Sequence, residues 1–477
     1  MKPMYSKMAQ LRFRSVTRLL SWVRTDWASA QFSLSGCILV LFAFTAQGSD
    51  ENWPRLRGPN GEGISESTTI PAQWTTNDYN WIVKLPGTGH SSPVVWRHRL
   101  FVTCGEGETG QRSILCLDPT NGQTRWRRDY ESQTFSQNGD NSYATATPAA
   151  DADGVVVTWT TPSAVVLLAL DNEGRELWRR DLGKYVCIHG SGASPIIVDD
   201  LVVLNNDQED PKALPPSVYA QPGAPKSAGV SFVLGVERKT GKTRWQLERT
   251  SSQAAYTTPC CYEPSPGHKE IILASTVHGI TGVDAATGRV NWELDKVFRD
   301  HLDTTTGQTN RELEAVFRER CVFSPMVAGG LVFAGEGRGA AGVRTVAVKP
   351  ASKDKGTPSS LRYELTKATP LVPTPLAKDG RLYLWADNGT VTCVRAATGE
   401  LVWREKVGGS FYSSPVCVNN RLYCVAKNGD VVVLAAADKF EMLGRVALGD
   451  KCFATPAIAG GVMYFRTYSQ LFSLGGK

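Results

Sequence analysis

The chain is built from short stretches of alternating apolar and polar residues that are separated by tight turns. Between residues 416 and 434, three such stretches are separated by Asn419-Asn420 and Asn428-Gly429. Alternation over four to six positions indicates β-strands, because successive side chains of a strand point to opposite faces. Asn-Asn and Asn-Gly suit the positive φ angles of two-residue hairpins. The pattern predicts an all-β protein of antiparallel strands.

A Ser-Pro or Thr-Pro pair followed by a short apolar stretch occurs eight times. The prolines are Pro93, Pro148, Pro195, Pro259, Pro325, Pro375, Pro415 and Pro456. Their spacing is irregular and never falls below 40 residues, which fits repeating units of four short strands with loop insertions. Proline is tolerated where a strand begins, because it removes a single donor at the end of the ladder. The repeat predicts eight four-stranded blades around one axis.

The second half of most units carries an acidic or equivalent residue, a glycine-containing turn and a tryptophan. In CLDPTNGQTRW, Asp118 lies eight residues before Trp126, and the same spacing separates Asp284 from Trp292. A fixed interval between divergent residues implies a fixed geometry. Five units carry this motif, with the tryptophans Trp126, Trp178, Trp245, Trp292 and Trp403.

These motifs resemble the pyrroloquinoline-quinone (PQQ) repeat, A-x-D-x-x-T-G-x-x-x-W. The resemblance covers about residues 53 to 477, and it implies an eight-bladed β-propeller of the exported bacterial type, with quinoprotein-like and BamB-like relatives. It also implies that each tryptophan docks on the turn of a neighbouring blade. Three units depart from the motif. Unit five has LRYEL around Tyr363 and unit seven has EMLGRVAL. Unit eight ends at LFSLGGK without an outer strand.

The eighth unit lacks an outer strand, and a spare strand of the right type stands near the other end of the chain. This strand is NWIVKLPG around Trp81, ahead of the first Ser-Pro pair. We expect it to complete the eighth blade, because joining both termini in one blade removes the open sheet edges. The predicted organisation is a signal peptide over 1–48, an N-terminal lead-in over 49–80 and a single propeller over 81–477.

Residues 1–48 have the pattern of a secretory signal peptide. Six Lys and Arg residues precede the apolar stretch from Phe32 to Ala46, and Ala46-Gln47-Gly48 provides small residues for cleavage. An uncleaved anchor is the alternative. Leu34-Ser35-Gly36-Cys37 spells a lipobox, but the apolar stretch follows Cys37, so we do not expect a lipid anchor there. The leader predicts a periplasmic or secreted protein with no transmembrane span in the mature chain.

Removal of the leader changes the charge argument. The whole chain has a net charge of +6, whereas residues 49–477 hold 46 Lys and Arg against 45 Asp and Glu. A nearly neutral mature chain argues against a nucleic-acid partner. The ten cysteines after residue 48 are compatible with either disulfides or small core residues. We expect a monomer whose partners are envelope proteins.

Polar and aromatic residues just before the Ser/Thr-Pro pairs are the candidates for a ligand site. A propeller places these positions near the mouth of its central channel, where they could form a ligand cup or merely hold channel waters. Phe411 belongs to the same group of positions. The candidates are His90, Ser91, Asn141, Tyr143, His189, Ser191, Tyr256 and Tyr412.

No catalytic or metal-binding set is recognisable in the sequence, and we predict no cofactor. Quinoprotein dehydrogenases carry a disulfide between adjacent cysteines beside the quinone, but Cys260-Cys261 occupies an inner-strand position where sister units have apolar residues. The histidines lack zinc-site spacing. Asp140, Asp151 and Asp153 lack the spacing of a calcium loop and favour turn roles.

Three functions remain open at this point. The first is an exported, non-enzymatic binding or scaffolding propeller of the cell envelope, BamB-like in architecture. The second is a PQQ- and calcium-dependent dehydrogenase. The third is a carbohydrate-binding surface domain, which rests on aromatic residues at the rim. Fold alone does not choose between them.

Overall fold

The computed structural model describes residues 52–476, except 136, 162, 188, 211–226, 252, 299–318, 340 and 353–355. The predicted signal peptide, including Cys37, lies outside the described residues. The rest of the chain confirms the all-β prediction, with two short 3-10 helices in the described part, Thr76–Asp78 and Asp295–Phe298. None of the described helices is long and apolar enough to cross a membrane.

The strands form eight separate sheets, each built on four antiparallel strands. In blades one to seven these four strands follow sequence order from the channel outward, and the two strands of the lead-in add to blades seven and eight. The lead-in supplies β1 (Ile64–Ser65) and β2 (Tyr79–Lys84). Blade one contains β3 (Val94–Trp96), β4 (Arg99–Gly105), β5 (Arg112–Leu117) and β6 (Thr124–Tyr130). Blade two contains β7 (Ala149–Asp151), β8 (Gly154–Thr160), β9 (Val165–Leu170) and β10 (Glu176–Asp181). Blade three contains β11 (Ile196–Val198), β12 (Leu201–Asn206), β13 (Ser231–Glu237) and β14 (Thr243–Arg249).

The remaining blades repeat this arrangement. Blade four contains β15 (Cys260–Ser265), β16 (His268–Ser275), β17 (Gly279–Asp284) and β18 (Val290–Leu294). Blade five contains β19 (Met326–Ala328), β20 (Leu331–Arg338), β21 (Ala341–Lys349) and β22 (Ser360–Leu365). Blade six contains β23 (Leu376–Lys378), β24 (Arg381–Trp385), β25 (Thr390–Arg395) and β26 (Leu401–Lys406). Blades seven and eight contain β27 (Val416–Val418), β28 (Arg421–Val425), β29 (Asp430–Ala435), β30 (Met442–Ala447); β31 (Ala457–Ala459), β32 (Val462–Arg466) and β33 (Gln470–Gly475).

The N-terminal strand closes the ring. Strand β2 pairs antiparallel with β33, and Trp81 lies opposite Ser473. It therefore becomes the fourth strand of blade eight, as the sequence predicts. Strand β1 adds to the inner edge of blade seven in parallel, with Ile64 opposite Cys417. Both additions cover strand edges that would otherwise expose unpaired backbone groups.

Tight turns set the register of the inner hairpins. Asn419 and Asn420 both have positive φ, at 46° and 59°, and they join β27 to β28 with Val418 opposite Arg421. Two positive φ values define the hairpin turn whose twist matches that of the flanking strands. The turn residues thus place the apolar positions of both strands on the same faces.

The core lies between the faces of adjacent blades. Val156 and Leu167 of blade two, for example, pack with Val202 and Leu234 of blade three in one buried cluster. The third strand of a blade is buried on both faces, whereas the outer strand alternates between exposed and covered residues. Burial between blades is the main stabilisation, since each sheet alone would expose both apolar faces.

Tryptophans of the outer strands dock on the next blade. In five of them the indole N–H donates to a backbone oxygen in the neighbouring turn, at 2.9–3.1 Å. The pairs are Trp81 with Pro119, Trp126 with Asn172, Trp178 with Arg238, Trp245 with Ala285, and Trp403 with Ala437.

Blades four, five and seven show how the docking adapts. Trp292 donates instead to Glu270 Oε2 of its own blade, at 2.8 Å. Tyr363 takes the tryptophan's place in blade five, and its hydroxyl donates to Ala396 O at 2.6 Å. In blade seven the equivalent residue is Gly444, and the lead-in backbone at Ala72 lies so close that a Cβ on Gly444 would be 2.3 Å from its oxygen. The lead-in thus fills the position of the missing ring.

Candidate functional site

A belt of eight hydroxyl-bearing residues surrounds the central channel. They are the residues of the Ser/Thr-Pro pairs, and the backbone N–H of each donates to the side-chain oxygen of the next, at 2.9–3.3 Å. Serine and threonine alternate around the whole belt. In order, its members are Ser92, Thr147, Ser194, Thr258, Ser324, Thr374, Ser414 and Thr455.

The lead-in closes one end of the channel. Trp53 exchanges backbone hydrogen bonds with Val95 of blade one, and Pro54 O accepts from Ala150 N of blade two. Further along, Asn60 exchanges two hydrogen bonds with the backbone of Cys261 in blade four. Crossing from blade to blade in this way, the segment forms a floor. The lead-in thus contacts the inner strands of blades one, two and four, and its Leu56 lines the cavity described below.

A cavity of about 450 Å³ stands on this floor, with Leu56 at its base and the belt in its wall. A second ring lies two residues before the belt. Strand geometry explains it, because residues i and i−2 of an extended segment face the same side. All eight members line the cavity: His90, Thr145, Gly192, Tyr256, Val322, Val372, Tyr412 and Phe453.

The structure brings six of the eight predicted mouth residues together. Those that line the cavity are His90, Asn141, His189, Ser191, Tyr256 and Tyr412. Ser91 is adjacent to a belt residue and therefore faces away, where its backbone oxygen accepts from Arg466 Nη1 at 2.8 Å. Tyr143 hydrogen-bonds the backbone of Phe135 and lies under the Arg112 guanidinium, 4.5 Å from its ring centre. Phe411 is fully buried against Trp385.

One side of the mouth is aromatic and cationic. His90 stacks on Phe453 with ring centres 4.4 Å apart, and Tyr412 meets Phe453 edge-on at 5.3 Å. Lys427 Nζ lies 4.2 Å from the centre of the Tyr412 ring. This is the arrangement of a cation–π contact. Lys427 thereby extends the second ring outward from the channel.

Asp140 reaches across the mouth to this aromatic group. Its carboxylate accepts from the Tyr412 hydroxyl at 3.0 Å and from Lys427 Nζ at 2.8 Å. Burial raises the pKa of Asp140, but the hydrogen bonds from Lys427 and Tyr412 outweigh it and lower the pKa below its ordinary value. The connection between blades one and two is thereby fastened to blade seven, so Asp140 acts as a strut.

The neighbouring residues of this connection are held on the opposite side. Asn141 Nδ2 donates to the backbone oxygens of His189 at 2.7 Å and Ser191 at 3.3 Å. Asn138 also lines the cavity. The segment 138–141 therefore spans the opening and narrows it.

Both histidines of the cavity are neutral near pH 7. Burial, together with the positive charges of Arg466 and Lys451, lowers the pKa of His90 to about 3. Burial and then Arg320 lower the pKa of His189 to about 4. Positive charges therefore act on the cavity from two sides.

The residues considered for metal or disulfide chemistry take other roles. Cys260 and Cys261 are free thiols on opposite faces of β15, and neither lines the cavity. Asp151 forms an ion pair with the buried Arg238 at 2.7 Å. Within the described residues, no three His, Cys, Asp or Glu side chains are arranged to hold a metal ion.

Some residues of the cavity escaped the sequence-based selection. These are Leu56, Asn138, Arg320, Phe453 and the belt hydroxyls. The signal for the belt was visible as the eightfold Ser/Thr before proline, and Phe453 follows from the two-residue offset. Nothing local marks Leu56 or Arg320, because the folding of loops brings them to the channel.

Known proteins resemble the chain in sequence and in fold. The sequence matches the family described as outer membrane protein assembly factor BamB over residues 72–217, 110–360 and 359–439, together more than half of the chain. No curated protein matches the sequence. Among solved structures, BamB from Moraxella catarrhalis is 14% identical, with a TM-score of 0.52 over 82% of this chain and 97% of that chain.

Two other solved structures are similar to the chain. The computationally designed Ika8 protein is 12% identical, with a TM-score of 0.51 over 82% of this chain and 98% of its own. A europium-containing methanol dehydrogenase is 11% identical, with a TM-score of 0.49 over 90% of this chain and 98% of its own. At such identities the likeness concerns the fold, and function has to be argued from the site.

Proposed function

Because the chain belongs to the family described as outer membrane protein assembly factor BamB, we propose that it is an exported binding or scaffolding protein of the cell envelope. The observation that carries this proposal is the cup, the cavity that is closed below by the lead-in and open at the mouth. A concave site with aromatic, hydroxyl and charged groups on rigid strands is suited to recognition. We propose that the chain is a monomer and that it acts in the periplasm or outside the cell.

Binding would take place at the mouth, since the floor blocks passage through the ring. The aromatic side of the mouth offers Tyr412, Phe453 and His90 for apolar or planar groups. The segment 138–141 narrows the entrance, so a partner would insert a side chain or a chain end and not a whole domain. Envelope proteins are the partners that we propose.

A quinone-dependent dehydrogenase is not supported by the donor set. Asp140 is the one carboxylate in the described lining of the cup, and it is already bound to Lys427 and Tyr412. Calcium prefers six to eight oxygen ligands that include carboxylates. The cup therefore does not fit a calcium-quinone centre, and we propose no resident cofactor. Dye-linked turnover after incubation with PQQ and calcium would overturn this.

Site-specific photo-crosslinking in intact cells tests the proposal. A photoreactive residue at Tyr412 is expected to capture a discrete envelope protein, while the same residue at Leu361, exposed on the outer strand of blade five, should not. A photoreactive residue at Asn138 should capture the same envelope protein. This capture should become weaker in Phe453→Ala, because the substitution removes an aromatic wall of the mouth. Equal capture from Leu361 and Tyr412, or capture unchanged by Phe453→Ala, would contradict a mouth-directed partner. Fractionation of the tagged chain checks its export.

A further inference from the structure

One guanidinium group lines the cup and three lie next to its lining, and among the described residues no carboxylate forms an ion pair with any of them. Arg55 and Arg57 flank Leu56 in the floor and are almost fully buried, and Arg57 Nη2 donates to the backbone oxygens of Pro375 and Glu62. Arg466, equally buried, donates to the backbone oxygen of Ser91 behind His90. Arg320 lines the cavity itself. Among the described residues, none of the four forms an ion pair.

Unneutralised buried guanidinium groups are unusual, because a buried charge normally has a counter-charge. The floor arginines also have spare donors, since the buried atoms Arg55 Nε, Arg57 Nε and Arg57 Nη1 have no hydrogen-bond acceptor in the part of the chain that the structure describes. Burial lowers the pKa of Arg57 to about 9, which still leaves it charged at neutral pH. The floor thus contributes positive charge from beneath the cavity.

The belt adds hydroxyl donors to this positive environment. Each belt oxygen already accepts a backbone N–H from the preceding blade, whereas none of the eight hydroxyl protons has an acceptor among the described residues. Seven of the eight side chains are buried, so their free O–H groups face the cavity and not bulk solvent. A hydroxyl that has accepted one bond still donates one. The cup is therefore rich in donors.

Two carboxylates near the described lining of the cup are already engaged by other groups. Asp140 is neutralised by Lys427. Asp387, behind the belt, accepts from the backbone N–H groups of Leu371 and Val372 at 2.6 and 3.2 Å. Neither of these two carboxylates pairs with any of the four arginines, so Arg320 provides an unpaired positive charge in the described lining of the cup.

We propose that the cup binds an oxyanion, namely a carboxylate or phosphate group whose oxygens are held by Arg320 and by belt hydroxyls. The apolar part of the ligand would lie against Phe453 and Tyr412 on the aromatic side of the mouth. This inference rests on the proposed function in treating the cup as the binding site, and it adds the chemistry of the ligand. A guanidinium and several hydroxyl donors match the planar or tetrahedral oxygens of such a group.

Ligand-observed NMR on the purified full chain tests the inference with matched probes. N-acetylphenylalanine carries a carboxylate and an aromatic ring, and its primary amide is the same molecule without the charge. Inorganic phosphate serves as the bare oxyanion, at constant ionic strength maintained with sodium chloride. We expect the carboxylate to bind at least about tenfold more tightly than the amide, since a charged hydrogen bond replaces a neutral one.

Arg320→Gln should weaken binding of the carboxylate about tenfold and leave the weak binding of the amide unchanged. The matched control is Arg362→Gln, which removes an equal charge from the exposed outer strand of blade five and should bind as the wild type does. Equal affinity for the acid and the amide would overturn the inference, and so would an unchanged affinity in Arg320→Gln. If phosphate bound Arg320→Gln and Arg362→Gln equally well, it would act only as a general ion. This result would also overturn the inference.

The probes also distinguish the source of the anion. Together with the crosslinking result, they separate the anion inference from the proposed partner-binding function. Phosphate binding without binding of the acid points to phosphorylated ligands, whereas the reverse points to a free organic acid or a peptide carboxyl end. If neither probe binds while crosslinking at Tyr412 persists, the anion inference fails and the partner-binding function stands. If the acid binds while no mouth-specific adduct forms, the cup is a small-molecule site and the scaffolding function fails.

Discussion

The backbone N–H of Thr455 donates to the side-chain oxygen of Ser92 at 3.0 Å, across 363 positions of the chain. This bond joins the last blade to the first and completes the hydroxyl belt. Together with the pairing of β2 and β33 at the outer rim, it closes the ring at both its inner and outer radius. The inner closure also defines the wall of the cup.

Ser92→Ala tests the inner closure. It leaves the buried N–H of Thr455 without an acceptor, so we expect the free energy of unfolding to fall by about 1–3 kcal/mol. Chemical denaturation measures this, and hydrogen exchange should show faster exchange of the Thr455 amide. Ser163→Ala, at an exposed position in a blade-two turn, should change stability by less than about 0.5 kcal/mol. A Thr455 amide that stays protected in Ser92→Ala would refute the role of the belt.

Gly241→Ala tests the docking of Trp178. Gly241 has φ of 68°, and a Cβ would lie 2.6 Å from the Trp178 ring. Gly267 has a similar φ of 78° but open space around it. Both alanine variants incur the cost of the left-handed conformation, and only Gly241→Ala also pushes the indole away. We expect it to be the less stable of the two by about 1–3 kcal/mol in thermal or denaturant unfolding, and equal stabilities would show that the ring can move freely.

Acid should destabilise the protein through its buried histidines. The folded-state pKa of His90 is about 3, against an ordinary value of 6.5, so the unfolded chain takes up the proton first as the pH falls. Stability from the neutral imidazole is complete above pH 6.5 and is lost between 6.5 and about 3, at up to about 1.4 kcal/mol per pH unit. His90→Phe keeps a ring against Phe453 and should flatten this slope. Adding His189→Phe to His90→Phe should flatten the slope further, because burial also lowers the pKa of His189. An unchanged slope in this double variant would contradict the assignment.

Asp140→Ala tests the strut across the mouth. Loss of the contacts to Tyr412 and Lys427 should loosen the connection between blades one and two, seen as faster hydrogen exchange and proteolysis over residues 137–146. Global stability should change little, because partly exposed ion pairs contribute less than about 1 kcal/mol. Asp153→Ala, at an exposed turn, is the control. Unaltered exchange of the segment in Asp140→Ala would show that Asn141 alone holds it.

Local patterns were sufficient to predict the propeller. A blade is a set of sequence-adjacent strands joined by short turns, so its strands, its Ser/Thr-Pro start and its tryptophan are all readable from neighbouring residues. The missing outer strand of blade eight and the spare strand at Trp81 could be paired for the same reason, since each was incomplete by itself. Strand alternation even contained the rule for the second ring, two residues before the belt.

What the sequence by itself determined is therefore the kind of strand, the number of blades and the approximate position of the channel mouth. The tertiary structure alone decided how distant segments meet: that Leu56, Arg55 and Arg57 form a floor, that Asp140 crosses to Tyr412 and Lys427, and that Arg320 enters the cavity. It also placed the guanidinium of Arg320 in the cup, although the charges of residues 49–477 nearly cancel. The physical reason is that side-chain alternation is a property of adjacent residues, whereas loop paths and the charge of a cavity depend on contacts between residues hundreds of positions apart.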